Sequence, residues 1–218
     1  MKSILPFVFL LIQTLIFSQD LTYYKRQIDT LCSETMYGRG YLKNGHNISA
    51  NYIQQEFEKY GLDVTQQSFT MTVNTFPIVS TIFINDTIKL EVGKDFIPSP
   101  SSGSISGEFK IFGLDSSFTS SPDRQRIFQY IDLSKTVIVY NERLTEKINI
   151  LPQEVLKKIS SSVGVITLKN NELLGSFQSH AANIGMIDLL TKSFPPSAAK
   201  IKINIQNEVK TLQSQNVI

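Results

Sequence analysis

One cysteine, two histidines and no tryptophan in 218 residues leave this chain poorly equipped for chemistry. Cys32 alone can close no internal disulfide, whatever the redox compartment. At the end of an apolar helical pattern, a lone cysteine is expected as a small buried hydrophobe rather than a nucleophile. His46 and His180 each lack a carboxylate at ligand spacing, and a two-metal hydrolytic centre needs about five convergent nitrogen and oxygen ligands. His46, between Gly45 and Asn47, reads as a solvated or capping side chain, and His180, in Ser179-His180-Ala181-Ala182, as a surface-loop residue, the alternative being a pocket residue. No Gly-x-Ser-x-Gly elbow occurs, and Gly103-Ser104 lacks a strand–helix context for one. Gly38-Arg39-Gly40 is neither a dinucleotide nor a phosphate loop. It reads as a tight turn with Arg39 pinning neighbouring carbonyls, the alternative being Arg39 as a clamp for a substrate carboxylate. The chain therefore offers no catalytic, cofactor-binding or metal-binding residue. No block of like charge exists, which excludes a nucleic-acid footprint and a polybasic membrane patch.

What is present describes a globular, exported protein. The hydrophobic fraction is 41% and the charged fraction 18%, values that support a buried core. Lys2 followed by an apolar run over 4–17, too short to span a bilayer, has the form of a signal peptide. Cleavage is expected at Ser18 or Gln19, leaving Asp20 to open a mature chain that is secreted or periplasmic and free of the membrane. The formal charge of +2 then falls by the one contributed by Lys2.

Periodicity divides the remainder into helices and strands. Leu21, Tyr24, Ile28 and Leu31 share one helical face. After a glycine-rich loop, Asn47 or Ser49 is expected to cap a second helix with Ile48, Tyr52, Ile53, Phe57 and Tyr60 as its buried stripe, ended by Gly61. Alternation over 64–76 predicts a strand stopped by Pro77. Strands over 78–84 and 87–92 predict a hairpin turning at Asn85-Asp86. The Pro/Ser/Gly segment 98–106 reads as a flexible connector. A strand over 108–114 and a short helix over 124–131 follow. Apolar runs over 136–140 and 163–168 suit buried strands, separated by a helix from Pro152. A strand over 184–190 precedes the Pro195-Pro196 turn, and 200–218 reads as an extended strand or hairpin, with an open apolar edge that invites pairing. Asn47-Ile48-Ser49 and Asn85-Asp86-Thr87 match the N-glycan acceptor pattern, and Asp86-Thr87-Ile88 resembles a bacterial O-glycosylation pattern.

Two segments carry a family resemblance. Ser33-Glu34-Thr35-Met36-Tyr37-Gly38-Arg39-Gly40, with the helix over 50–60 and Gly61-Leu62, resembles the opening of secreted zinc aminopeptidases (peptidase family M twenty-eight). Gln215-Asn216-Val217-Ile218 is similar to the strand that precedes the first zinc ligand there. Between them, Phe112-Gly113-Leu114, the run 131–139 and Val163-Gly164-Val165-Ile166-Thr167-Leu168 look like a protease-associated domain. The resemblance implies an α+β fold: N-terminal helices and edge strands of an α/β peptidase sandwich, plus a β-rich protease-associated insert. The expected division is a signal peptide at 1–19, a peptidase-like part at 20–84, the insert at 85–196 and a returning, truncated strand at 197–218.

The resemblance also implies a hydrolase that binds zinc through a His-x-Asp motif, a bridging Asp, a Glu-Glu pair, a further acid and a late His. None of these occurs here, so no residue is carried over as ligand or base. The chain is accordingly expected to be a truncated, non-catalytic N-terminal fragment. Its insert would serve substrate access or protein interaction, its partners being a peptide or protein substrate and a missing catalytic C-terminal domain. The alternative is a self-sufficient secreted module that binds a peptide or glycan.

Overall fold

The computed structural model describes residues 20–218, so the expected signal peptide lies outside the described residues. Contacts divide the chain into two units: residues up to Thr70 together with Gln213–Ile218, and Met71–Leu212. The boundaries expected at 84 and 196 both fall inside the second unit. Among the described residues no helix is long and apolar enough to cross a membrane.

The first unit is built on two helices. Helix α1 (Leu21–Leu31) begins where the Asp20 carboxylate accepts the Thr22 and Tyr23 N–H groups, each at 3.0 Å, satisfying donors that the first turn leaves unpaired. The expected apolar face forms but stays in water: Leu21, Tyr24 and Ile28 are all exposed. Helix α2 (Gly45–Lys59) starts before the anticipated caps, after Asn44 in a left-handed conformation. Asn47 is therefore inside the helix, its amide donating to Asn44 Oδ1 at 2.7 Å. Ser49 is buried and donates to the Gly45 carbonyl at 2.9 Å. The buried positions are Gly45, Ser49, Ala50 and Glu56, while Phe57 and Tyr60 of the expected stripe are exposed. Gly61 terminates the helix at φ 72°. Its N–H reaches the Glu58 carbonyl and that of Leu62 the Phe57 carbonyl, a closing pattern that favours glycine.

Strands β1 (Gln66–Thr75) and β10 (Glu208–Val217) form a two-stranded sheet and carry the chain between the units. Thr65 and Ile218 exchange both backbone hydrogen bonds, at 2.8 and 2.9 Å.

In the second unit eight strands form one mixed sheet. They are β2 (Thr81–Ile84), β3 (Ile88–Leu90), β4 (Phe96–Pro98), β5 (Ile105–Leu114), β6 (Thr136–Asn141), β7 (Gly164–Lys169), β8 (Gly185–Leu190) and β9 (Lys200–Ile205). Their order is β3-β2-β9-β5-β6-β7-β8-β4. β5 through β8 are mutually parallel, and the remaining pairs are antiparallel. The crossover from β5 to β6 contains α3 (Ser116–Ser120) and α4 (Pro122–Phe128); that from β6 to β7 contains α5 (Thr145–Asn149) and α6 (Gln153–Ser160). Helical crossovers cover one face of the sheet, as parallel pairing requires.

Alternation along β6 shows how both faces fill. Ile138 joins Phe118, Phe128, Leu133, Val155 and Ile159 on the helix side, whereas Val137 and Val139 join the opposite cluster. That second cluster gathers Leu90 of β3 and Phe96 of β4, from opposite edges of the sheet, with Ile82, Ile105, Ile187 and Ile203. The sheet thus curls on itself, and a bridge between Val92 and Phe96 joins its edges. The curl demands small residues at the strand starts: a Cβ on Gly185 would lie 2.5 Å from Ile105 Cγ2, and one on Gly164 2.9 Å from Ile105 Cδ1.

The segment expected as a flexible connector is a packed corner instead. Ser102 is fully buried and accepts the Met186 N–H at 2.8 Å. Asn74 donates to the Pro100 and Ser102 carbonyls at 3.0 and 2.8 Å. Serine and proline here serve buried hydrogen bonding, which composition alone does not separate from solvated loop.

Candidate functional site

Each residue singled out above has a definite place. Cys32 caps the C-terminus of α1 and is exposed, not buried; the α1 face that would have covered it faces solvent. Arg39 is exposed at φ 57°, and its side chain makes no hydrogen bond among the described residues. The turn is pinned by His46. Its backbone N–H donates to the Gly40 carbonyl at 2.7 Å, its Nδ1 lies 3.1 Å from the same oxygen, and its Nε2 lies 3.0 Å from the Gln213 carbonyl. His180 is exposed between β7 and β8. Ser104 donates to Asn207 Oδ1 at 2.7 Å and accepts the Asn207 N–H, so it serves as a staple. Asn85 is a staple too. Its amide donates to the Ser197 carbonyl at 3.0 Å and accepts the Ala199 and Lys200 N–H groups at 3.0 and 3.2 Å.

Two polar networks were invisible in the sequence. In the first unit the buried Glu56 accepts from Tyr23 Oη at 3.2 Å and Gln27 Nε2 at 2.9 Å and pairs with Lys59. Tyr52 donates to Gln27 Oε1, and the Tyr23 and Tyr60 rings meet edge-on, 5.7 Å between centroids. The Lys59 ammonium beside Glu56 holds its carboxyl below the usual range. Helices α1 and α2 are thus joined through a carboxylate-centred network more than through their apolar stripes.

The second network lies at the carboxyl ends of β6, β7 and β8, where α/β sheets commonly place functional groups. Asn141 donates to Asn170 Oδ1 at 2.9 Å and to Thr191 Oγ1 at 3.4 Å, and the Thr191 hydroxyl donates to the Lys169 carbonyl at 3.0 Å. Lys169 Nζ sits between Glu142, at 3.6 Å, and Asp188, at 4.0 Å. The two carboxyls diverge. The Asn170 N–H, 2.8 Å away, holds Glu142 below the ordinary range. Burial pushes Asp188 upward against the pull of Lys169. The residues come from three separate segments, most of them just past an apolar run and Asp188 within one; that position was the only available signal. The arrangement ties three strand ends together and presents one ammonium flanked by two acids.

Zinc does not fit the described residues. Both His46 ring nitrogens face carbonyl oxygens, Lys169 occupies the space between Glu142 and Asp188, and no group of three or more His, Cys, Asp or Glu side chains converges among the described residues. A neutral or anionic donor set is what a divalent ion needs, and an ammonium at its centre opposes one.

No protein-family model matches the chain, and no curated protein matches it. Solved structures do. An aminopeptidase from Aneurinibacillus sp. strain AM-1 superposes with TM-score 0.50 at 20% identity, over 80% of this chain and 42% of that one. A zinc aminopeptidase from Bacillus subtilis superposes with TM-score 0.55 at 14% identity, over 80% of this chain and 40% of its own. At these identities the likeness is one of fold: the α+β architecture is shared with these two aminopeptidases, and this chain spans about two fifths of their length.

Proposed function

We propose that this chain is the amino-terminal, non-catalytic part of a secreted zinc metallopeptidase of the aminopeptidase type. Its curled sheet is a protease-associated insert that controls access of peptide or protein substrate. The supporting observation is the coverage: most of this chain lies on less than half of two aminopeptidase structures. The apolar faces of the first unit agree with that reading. Leu21 and Ile28, which share one face of α1, and Tyr60 are 76%, 61% and 63% exposed, and exposed apolar surface favours cover by further protein. A two-stranded sheet such as β1–β10 is likewise marginal without further strands. Substrate hydrolysis would then belong to ligands supplied by a catalytic portion, and the role of this chain is to shape the approach to it.

The test is an assay of amino-acid anilide hydrolysis with added zinc, using this chain alone and joined to whatever the adjoining coding sequence specifies. The expected result is no zinc-dependent release by this chain alone and chelator-sensitive release by the joined protein. Zinc-dependent release by this chain alone would overturn the proposal. So would an adjoining sequence without a His-x-Asp segment, paired with a cooperatively melting monomer that binds peptide or glycan unaided.

A further inference from the structure

We propose that the Thr87 hydroxyl, at the tip of the β2–β3 hairpin, is an O-glycosylation site that receives a sugar from an activated sugar phosphate during export. The inference rests on the export reading above and on three features of the hairpin. First, the tip has a fixed shape and is stapled to the segment 197–200 through the Asn85 side chain. Asn85 and Asp86 lie at φ 49° and 62°, and the Thr87 N–H closes the turn on the Ile84 carbonyl at 3.2 Å. Both central residues are left-handed, the geometry of a tight hairpin turn. Second, ladder pairing resumes at Ile84 opposite Ile88, so Thr87 stands between the turn and the first pair. It is exposed, and its hydroxyl has no hydrogen-bond partner among the described residues. Third, Asp86-Thr87-Ile88 carries the acceptor order, with the Asp86 carboxylate half-exposed and held by Lys200.

The competing acceptor patterns are already engaged. The amide nitrogen of Asn85 is spent on the Ser197 carbonyl. Asn47 sits within α2 with its amide on Asn44, and the Ser49 of its pattern is buried. The Asp-Thr-apolar order recurs at Asp29-Thr30-Leu31, but inside α1, where the helical backbone denies a transferase the extended or turned segment it would grip. Thr87 is exposed, as a bulky polar modification requires.

In the transfer, Thr87 Oγ1 forms a bond to the anomeric carbon and the bond from that carbon to the phosphate oxygen breaks. The phosphate leaves with the electron pair, and the hydroxyl proton passes to a base of the transferase.

The experiment is intact and peptide mass measurement, with alkaline β-elimination to locate the site, on the full chain recovered from the cells that encode it. The expected result is a leaderless protein heavier by one or more sugar residues on the peptide containing Thr87. The increment should vanish in Thr87→Ala, persist in Thr87→Ser and ignore Thr30→Ala. An exported protein of unmodified mass, or an increment retained in Thr87→Ala, overturns the proposal alone. A protein retained with its leader and unmodified overturns the export reading with it.

Discussion

Replacing Gly185 with alanine tests whether the curl of the sheet depends on a bare backbone beneath Ile105. The added Cβ would sit 2.5 Å from Ile105 Cγ2, 2.7 Å from its Cβ and 3.0 Å from its Cδ1. Real carbon contacts are much longer, and the clash is with the stem of a β-branched side chain that has few rotamers to escape into. Ile105 is only 5% exposed and packs with the core, so it cannot swing outward. Gly185 does not lie in the left-handed region, so alanine is allowed there and should return about 0.4–1 kcal/mol through the unfolded chain. Overpacking costs about 1–3 kcal/mol. The clash wins, leaving a net loss of about 1–2 kcal/mol and a fall of about 2–4 °C in melting temperature per kcal/mol. Ile105→Ala alone should cost about 2–5 kcal/mol. In the double variant the new methyl enters vacated space, so the losses should fall short of their sum by about 1 kcal/mol or more. Urea unfolding followed by far-UV circular dichroism suits a chain that lacks tryptophan. An unshifted midpoint for Gly185→Ala, or strictly additive losses, would refute the packing argument.

Other expectations follow from the networks. Asn85→Ala removes one donor and two acceptor contacts that tie the hairpin to β9; it should lower stability by about 1–3 kcal/mol in the same unfolding assay. Glu56 has its carboxyl lowered chiefly by Lys59. Its contribution is therefore present above the ordinary carboxylate range and lost as pH falls through the depressed value. Acid titration of helicity should show that loss in the parent and much less pH dependence in Glu56→Gln. Asp188 has the opposite sign, raised mainly by burial. Stability should fall as pH rises from the ordinary range to the raised value and stay lower above it, and Asp188→Asn should abolish that fall in denaturant midpoints. Lys169→Met leaves Glu142 and Asp188 facing one another without their shared cation, so its midpoint should drop more at neutral than at acid pH.

The local elements were legible because their causes are local. The interior stripe of β6, the left-handed stop at Gly61 and the turn at Asn85-Asp86 each depend on residues within a few positions, and each was found where the pattern put it. Fold class came from the family resemblance carried by the segments 33–40, 50–62 and 215–218. Tertiary structure alone decided which strands meet: 200–218 splits into β9, between β2 and β5 in the large sheet, and β10, paired with β1 in another. It also decided the surroundings of each apolar face. The stripe on α1 formed as the periodicity required, yet Leu21, Tyr24, Ile28 and Cys32 face solvent, and the α1–α2 contact runs through Glu56. Periodicity specifies which side chains share a face. What that face meets depends on contacts far apart in the chain, such as His46 with Gln213 or Lys169 with Glu142 and Asp188, which only the folded backbone brings together.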